Sequence, residues 1–131
     1  MDPTRGTPIA LAERRLAWLE ARQRVLAQNI AHADTPGFVP RDLPPFAALL
    51  ARRGVGVALA RTDPAHLAPA GGAQEARPRI DRLAAERARN GNGVALDEQA
   101  VKVADTDTAH AFAAGLHRRY LGLFRTALGR P

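Results

Sequence analysis

Apolar and small residues recur at Ile9, Ala12, Leu16, Leu19, Leu26, Ile30 and Ala33, in steps of three and four, with Gln23 filling the one polar position. A seam kept at heptad spacing predicts a helix that pairs with another helix along a line. Thr7 is a good N-cap, and Pro8 suits the first helical position, where its missing N–H costs nothing. No Gly or Pro follows until Pro36, so the helix is expected to run to about Ala33, a length of about 39 Å at 1.5 Å per residue. Asp34-Thr35-Pro36-Gly37 then stops it. Pro36 pushes Thr35 out of helical geometry and Gly37 accepts a positive φ. Asp34 and Thr35 are expected to cap freed backbone groups, with Phe38 as an apolar anchor past the break.

A second long helix is predicted from Asp97, read as its N-cap, to about Leu128, with Gly129 as the stop. Val101, Thr108, Phe112, Leu116, Tyr120, Leu123 and Ala127 mark one face of it, drifting from a strict heptad. Gly115 and Gly122 lie seven apart inside it, where they would admit a closely approaching backbone at a cost of roughly 1 kcal/mol each against Ala. Between the two helices the signals are weak. A short helix fits Phe46 to Arg53, a short strand fits residues 55–60, and another short helix fits Ile80 to Arg89. Pro64, Pro69 and Pro78, with Gly71, Gly72, Gly91 and Gly93, make residues 62–93 read as a mobile loop. The expected fold is therefore mainly α: two long terminal helices pairing as a coiled coil around a loop-rich, partly disordered middle. The divisions fall at 1–38, 39–96 and 97–131.

Composition narrows the function. The 131 residues hold no Cys, which removes disulfides, thiolate metal sites and cysteine nucleophiles. Large core formers are few, with four Phe, one Trp, one Tyr and one Met, so the core is small or shared between subunits. No apolar run is long enough to span a membrane, so no membrane insertion is expected. The N-terminus lacks a basic segment followed by an apolar one, so no cleaved signal is expected either. A net charge of +6, nearly all of the cation being Arg, raises the alternative of a small Arg-rich helical protein that binds nucleic acid. The arginines are spread along the chain with few aromatics among them, which favours an ordinary solvated surface.

Little catalytic chemistry is visible. His32, His66, His110 and His117 form no ligand set at helical spacing, and His110 with Asp107 reads as a surface pair. No nucleophile elbow, P-loop or dinucleotide fingerprint occurs. The chain reads as a non-enzyme with no cofactor and no metal.

The stretch from Leu26 to Phe38 resembles the signature of the bacterial flagellar rod, hook and hook-associated family: Asn, apolar, Ala, Asn, two residues, Thr, any residue, Gly, aromatic. Asn29, Ile30, Ala31, Thr35, Gly37 and Phe38 match, whereas His32 stands where the family usually has a second Asn. Three further stretches, Arg61 to Leu67, Gly91 to Gln99 and Tyr120 to Leu128, resemble the proximal-rod members in particular. The resemblance implies a structural subunit of the basal-body rod that assembles through its terminal helices. The assembly surface would be Leu16, Leu19, Leu26 and Ile30 on the first helix, with Val101, Phe112, Leu116 and Leu123 on the second. The signature turn would be Asn29, Asp34, Thr35, Pro36, Gly37 and Phe38. Implied partners are other copies of the chain, the rod proteins FlgC, FlgF and FlgG, the junction protein FliE and the flagellar export gate. The implied location is the periplasmic rod, reached by type III export without a cleaved signal.

Overall fold

A computed structural model describes residues 7–53, 76–82 and 89–129. Its elements are α1 (Pro8–Ala31), β1 (Arg41–Asp42), α2 (Phe46–Arg53), β2 (Arg79–Ile80) and α3 (Leu96–Ala127). Helix accounts for 67% of the described residues, so the mainly α expectation holds. α1 starts where the capping residues place it. The Thr7 hydroxyl accepts from the Ala10 amide at 3.3 Å, and Pro8 occupies the first turn. The helix ends at Ala31, two residues before the sequence suggested, with His32 as C-cap.

α3 differs at its start. Its N-cap is Ala95, with no side-chain cap, and Asp97 lies inside the first turn beside Glu98. There the two carboxylates suit the positive end of the helix dipole without bonding the first amides. At the other end the cap residue is Leu128, and Gly129 takes φ +68°, the left-handed stop expected of it. The short helix expected over Ile80 to Arg89 is not formed at its start. Ile80 belongs to β2, which pairs antiparallel with β1, Arg41 opposite Ile80 and Asp42 opposite Arg79. The strand expected at residues 55–60, and most of the predicted loop, lie outside the described residues.

α1 and α3 make the main tertiary contact. They run antiparallel, because Glu13 meets His117, Glu20 meets His110, Gln23 meets Asp107 and Asn29 meets Gln99. Between them Leu19 and Leu26 are 1% and 0% exposed. The face that α3 turns inward is small and polar: Gln99, Thr106 and Ala113, spaced by seven, are its buried residues. After the α1 break the chain doubles back along α1. Trp18 donates its indole N–H to the Pro44 carbonyl at 3.0 Å, and its ring lies 6.1 Å from that of Phe46. Trp18, Leu19, Val25, Leu43 and Ala113 form the core, flanked by Leu16, Phe46 and Ala109. Arg22 closes this side with a bidentate pair to Asp42, at 3.0 and 2.9 Å.

Candidate assembly surfaces and the signature turn

The turn after α1 is held by side chains from elsewhere in the chain. Asn29 sits on the last turn of α1 and is buried. Its amide nitrogen donates to the Arg41 carbonyl at 2.7 Å and to the Gln99 side-chain oxygen at 2.9 Å, while its oxygen accepts from the Arg41 amide at 2.9 Å. One carboxamide thus ties α1, β1 and α3 together. A buried polar group with every partner in place fixes a single geometry, because any other register leaves it unsatisfied.

Asn92 does the same for the turn itself. Its amide donates to the carbonyls of His32 and Thr35, at 2.9 and 2.6 Å, and its oxygen accepts from the Val94 amide at 2.7 Å. Both carbonyls also accept from turn amides, His32 from Thr35 at 3.0 Å and Thr35 from Phe38 at 3.3 Å, so Asn92 adds a long-range tie to a turn that is already hydrogen-bonded locally. Backbone bonds complete the clasp: the Gly37 amide donates to the Asn90 carbonyl at 3.0 Å, and the Gly93 amide to the Phe38 carbonyl at 2.9 Å. Gly37 and Gly91 take φ of +70° and +78°, and a Cβ built on Gly91 would stand 3.5 Å from the Gly37 Cα. Positive φ at Gly37 was expected from the sequence. The capping role expected of Asp34 falls to Asn92, and Asp34 is exposed. Thr35 pairs its hydroxyl with the His32 ring at 3.0 Å. Phe38 stacks on His32, ring centroids 4.5 Å apart, so it pins the exit against the helix end.

Of the residues read as an assembly surface, Leu19 and Leu26 lie between α1 and α3, and Leu16 packs against the core. Ile30 is exposed. On α3, Val101, Phe112 and Leu123 are 61%, 73% and 59% exposed, and Leu116 joins them at the surface. The stripe picked out on α3 is therefore not buried against α1, although Phe112 and Leu116 border a groove that α1 shares. The inner face of α3 is the Gln99, Thr106 and Ala113 series instead. Gly115 and Gly122 meet nothing within 4 Å, so no backbone of the described residues uses the room they leave.

Alongside the stripe runs a groove of about 360 Å³, lined among others by Leu11, Arg15, Phe46, Phe112, Leu116 and Tyr120. Arg15 is its charged member. The guanidinium lies over the rings of Trp18 and Phe46, 4.8 and 5.1 Å from their centroids. Burial, and secondarily the nearby Arg22 guanidinium, hold its pKa below the ordinary arginine range. The flanks of the α1–α3 contact carry the pairs Glu13–His117 at 3.4 Å and Glu20–His110 at 3.8 Å, which are ion pairs when the imidazole is protonated. His110 therefore faces α1 and not Asp107, which accepts from Gln23 at 2.9 Å. Among the described residues no group of three or more His, Cys, Asp and Glu is placed to hold a metal.

An apolar stripe left outside a two-helix subunit, with a signature turn clasped by long-range hydrogen bonds, suits a chain that packs against others. Comparison with known proteins decides which chains it resembles. It is 34% identical over 112 residues to the flagellar basal body rod protein FlgB of Agrobacterium fabrum strain C58, covering 84% of this chain and 84% of that protein. The chain belongs to the FlgB family. FlgB of Yersinia enterocolitica is 36% identical over 94 residues, 64% of this chain and 66% of its own length. FlgB of Salmonella typhimurium is 35% identical over 91 residues, 64% of this chain and 65% of its own. No family model matches the chain. Sequence reasoning missed Asn92 and Gln99, the two residues that close the FlgB-family turn onto α3. Both lie in the Gly91 to Gln99 stretch whose resemblance to proximal-rod proteins was visible, and that stretch was the signal available.

Proposed function

We propose that this chain is a structural subunit of the flagellar basal-body rod, built into it through the outer faces of its terminal helix pair. Membership of the FlgB family supports the rod role. The observation that carries the mode of assembly is the α3 stripe: Val101, Phe112, Leu116 and Leu123 lie on the subunit surface, where water meets them until another chain covers them. Leu19 and Leu26 hold the subunit together, and the α3 stripe holds it to its neighbours. The clasped turn fixes how α1 ends and so where the neighbours of that end stand.

In this reading the subunit belongs to the proximal rod, in the periplasm, and reaches it by the flagellar export gate without a cleaved signal. Its neighbours are its own copies, the rod proteins FlgC, FlgF and FlgG, and the junction protein FliE. The role asks for no catalysis and no cofactor. No observation favours nucleic-acid binding, and Arg22 is engaged with Asp42. The test is complementation. A strain lacking this gene should be non-motile and lack rods, and the wild-type chain should restore both. Normal swimming after the deletion would remove the rod role.

A further inference from the structure

The groove beside the α3 stripe is apolar apart from one cation that has no carboxylate to meet. Among the described residues Arg15 makes no ion pair. On α1 and β1, Asp42 is paired with Arg22, and Glu13 and Glu20 lie beside His117 and His110 on the flank of the α1–α3 contact. At the far end of the same helix pair is the complement. Asp97, Glu98 and Val101 share one face of the first turns of α3, beside Lys102. Lys102 pairs with Asp81, whereas Asp97 and Glu98 make no ion pair among the described residues. Val101 stands outward between them as an exposed apolar knob.

We propose that the groove receives the first turns of α3 from a second copy of this chain, with Val101 entering between Leu11, Phe112 and Leu116 and the partner's carboxylates meeting Arg15. The two halves are separate stretches of α3, the first turns and the middle, roughly 18 Å apart from Val101 to Ala113 at 1.5 Å per residue. A contact between different surfaces of the same chain is heterologous. It does not close on itself by necessity, and it propagates into rings or open helical arrays, the geometry a rod requires. Burying Arg15 beside a carboxylate gives it the partner it lacks, and the apolar walls exclude water from the pair. The proposal rests on the assembly reading but commits to one surface within it.

A charge exchange tests it on the full-length chain, with self-association followed by sedimentation up to millimolar concentration. Arg15→Glu alone and the double substitution Asp97→Arg, Glu98→Arg alone should each weaken association on the order of tenfold, the effect of losing a partly desolvated charge pair. An equimolar mixture of the two variants should regain most of that loss. A mixture no stronger than its components overturns the proposal, and so does a wild-type chain that stays monomeric throughout. Because Arg15 packs on Trp18, a second measurement avoids it. The chain has no cysteine, so Leu116→Cys and Val101→Cys introduce single thiols. Mixed and oxidised at equal concentration, they should give the heterodimer well above the 1:2:1 ratio of random pairing, and yields at that random ratio count against the contact. Failure here is distinguishable from failure of the rod role. Charge-reversed variants that swim normally remove this interface while the rod role stands. Motile deletion strains remove the rod role whatever the chain does in solution.

Discussion

At the residue scale the signature turn depends on two different kinds of requirement. At Gly37 the requirement is backbone conformation alone. Nothing lies within 4 Å of a Cβ placed there, yet φ is +70°. Gly37→Ala should therefore cost about 1–2 kcal/mol, the strain of a left-handed L-residue, and Gly37→Val more, because a β-branched side chain tolerates that region worst. Gly37→Asn should be the mildest of the three. Thermal melts of the purified chain rank them, and equal midpoints for Val and Asn would show that φ is not the constraint. At Asn92 the requirement is chemical. Two carbonyls, from His32 and Thr35, point at one amide group. Asn92→Asp keeps the shape but puts carboxylate oxygens against those carbonyls. It should destabilise the chain by roughly 2–3 kcal/mol or more, and by more than Asn92→Ala, which removes the Asn92 donor and the Val94 amide's acceptor but leaves the carbonyls their turn amides and sets no oxygen against them. An Asp variant as stable as wild type would mean that Asn92 does not hold the turn.

At the scale of elements, what could be read from the sequence was what local chemistry determines. α1 was legible because its signals are contiguous: Thr7 and Pro8 open it, a heptad seam runs through it, and Pro36 and Gly37 close it off. The inner face of α3 was not legible. Periodicity weighs apolar side chains, and the residues that α3 packs on α1 are Gln99, Thr106 and Ala113. Gln99 is buried because Asn29, 70 residues earlier, supplies its hydrogen bond, and no local pattern announces a partner so distant. Trp18 was missed for a related reason. It lies beside the seam, and what covers it is the returning segment around Pro44 and Phe46, not α3. The β1–β2 ladder joins two pairs of residues far apart in the chain, too short to leave an alternating pattern. Gly115 and Gly122 carry a prediction at this scale. With open space at both, Gly122→Ala should stabilise the isolated chain by about 0.5–1 kcal/mol, by removing backbone freedom from the unfolded state and improving helix propensity. Gly115→Ala should do the same. If either variant melts higher yet fails to enter rods, a neighbouring backbone occupies that room in the assembly. If both melt lower than wild type, the helix is not continuous there.

At the scale of the molecule, two apolar surfaces with different duties can be separated experimentally. Leu26 is fully buried between α1 and α3, beside the Asn29–Gln99 bond. Leu26→Asp forces an unpaired carboxylate into that contact, which costs several kcal/mol, a large share of what holds a domain of this size together. The isolated chain should lose helical structure or melt far lower, and rods should fail because the subunit itself fails. Phe112 is the opposite case. At 73% exposed it contributes little to the lone subunit, so Phe112→Asp should leave the melt within about 0.5 kcal/mol of wild type. In the rod the same substitution puts a charge where the stripe meets a neighbour, and assembly should fail although the fold is intact. The pair is read by two measurements on each variant: a thermal melt of the purified chain, and basal bodies isolated from a complemented strain. The expected pattern is crossed, with Leu26→Asp defective in both and Phe112→Asp defective only in rods. Normal rods from Phe112→Asp would show that this face stays in solvent. A wild-type melt for Leu26→Asp would mean that the α1–α3 contact does not hold the subunit, and the division between a folding surface and an assembly surface would fall with it.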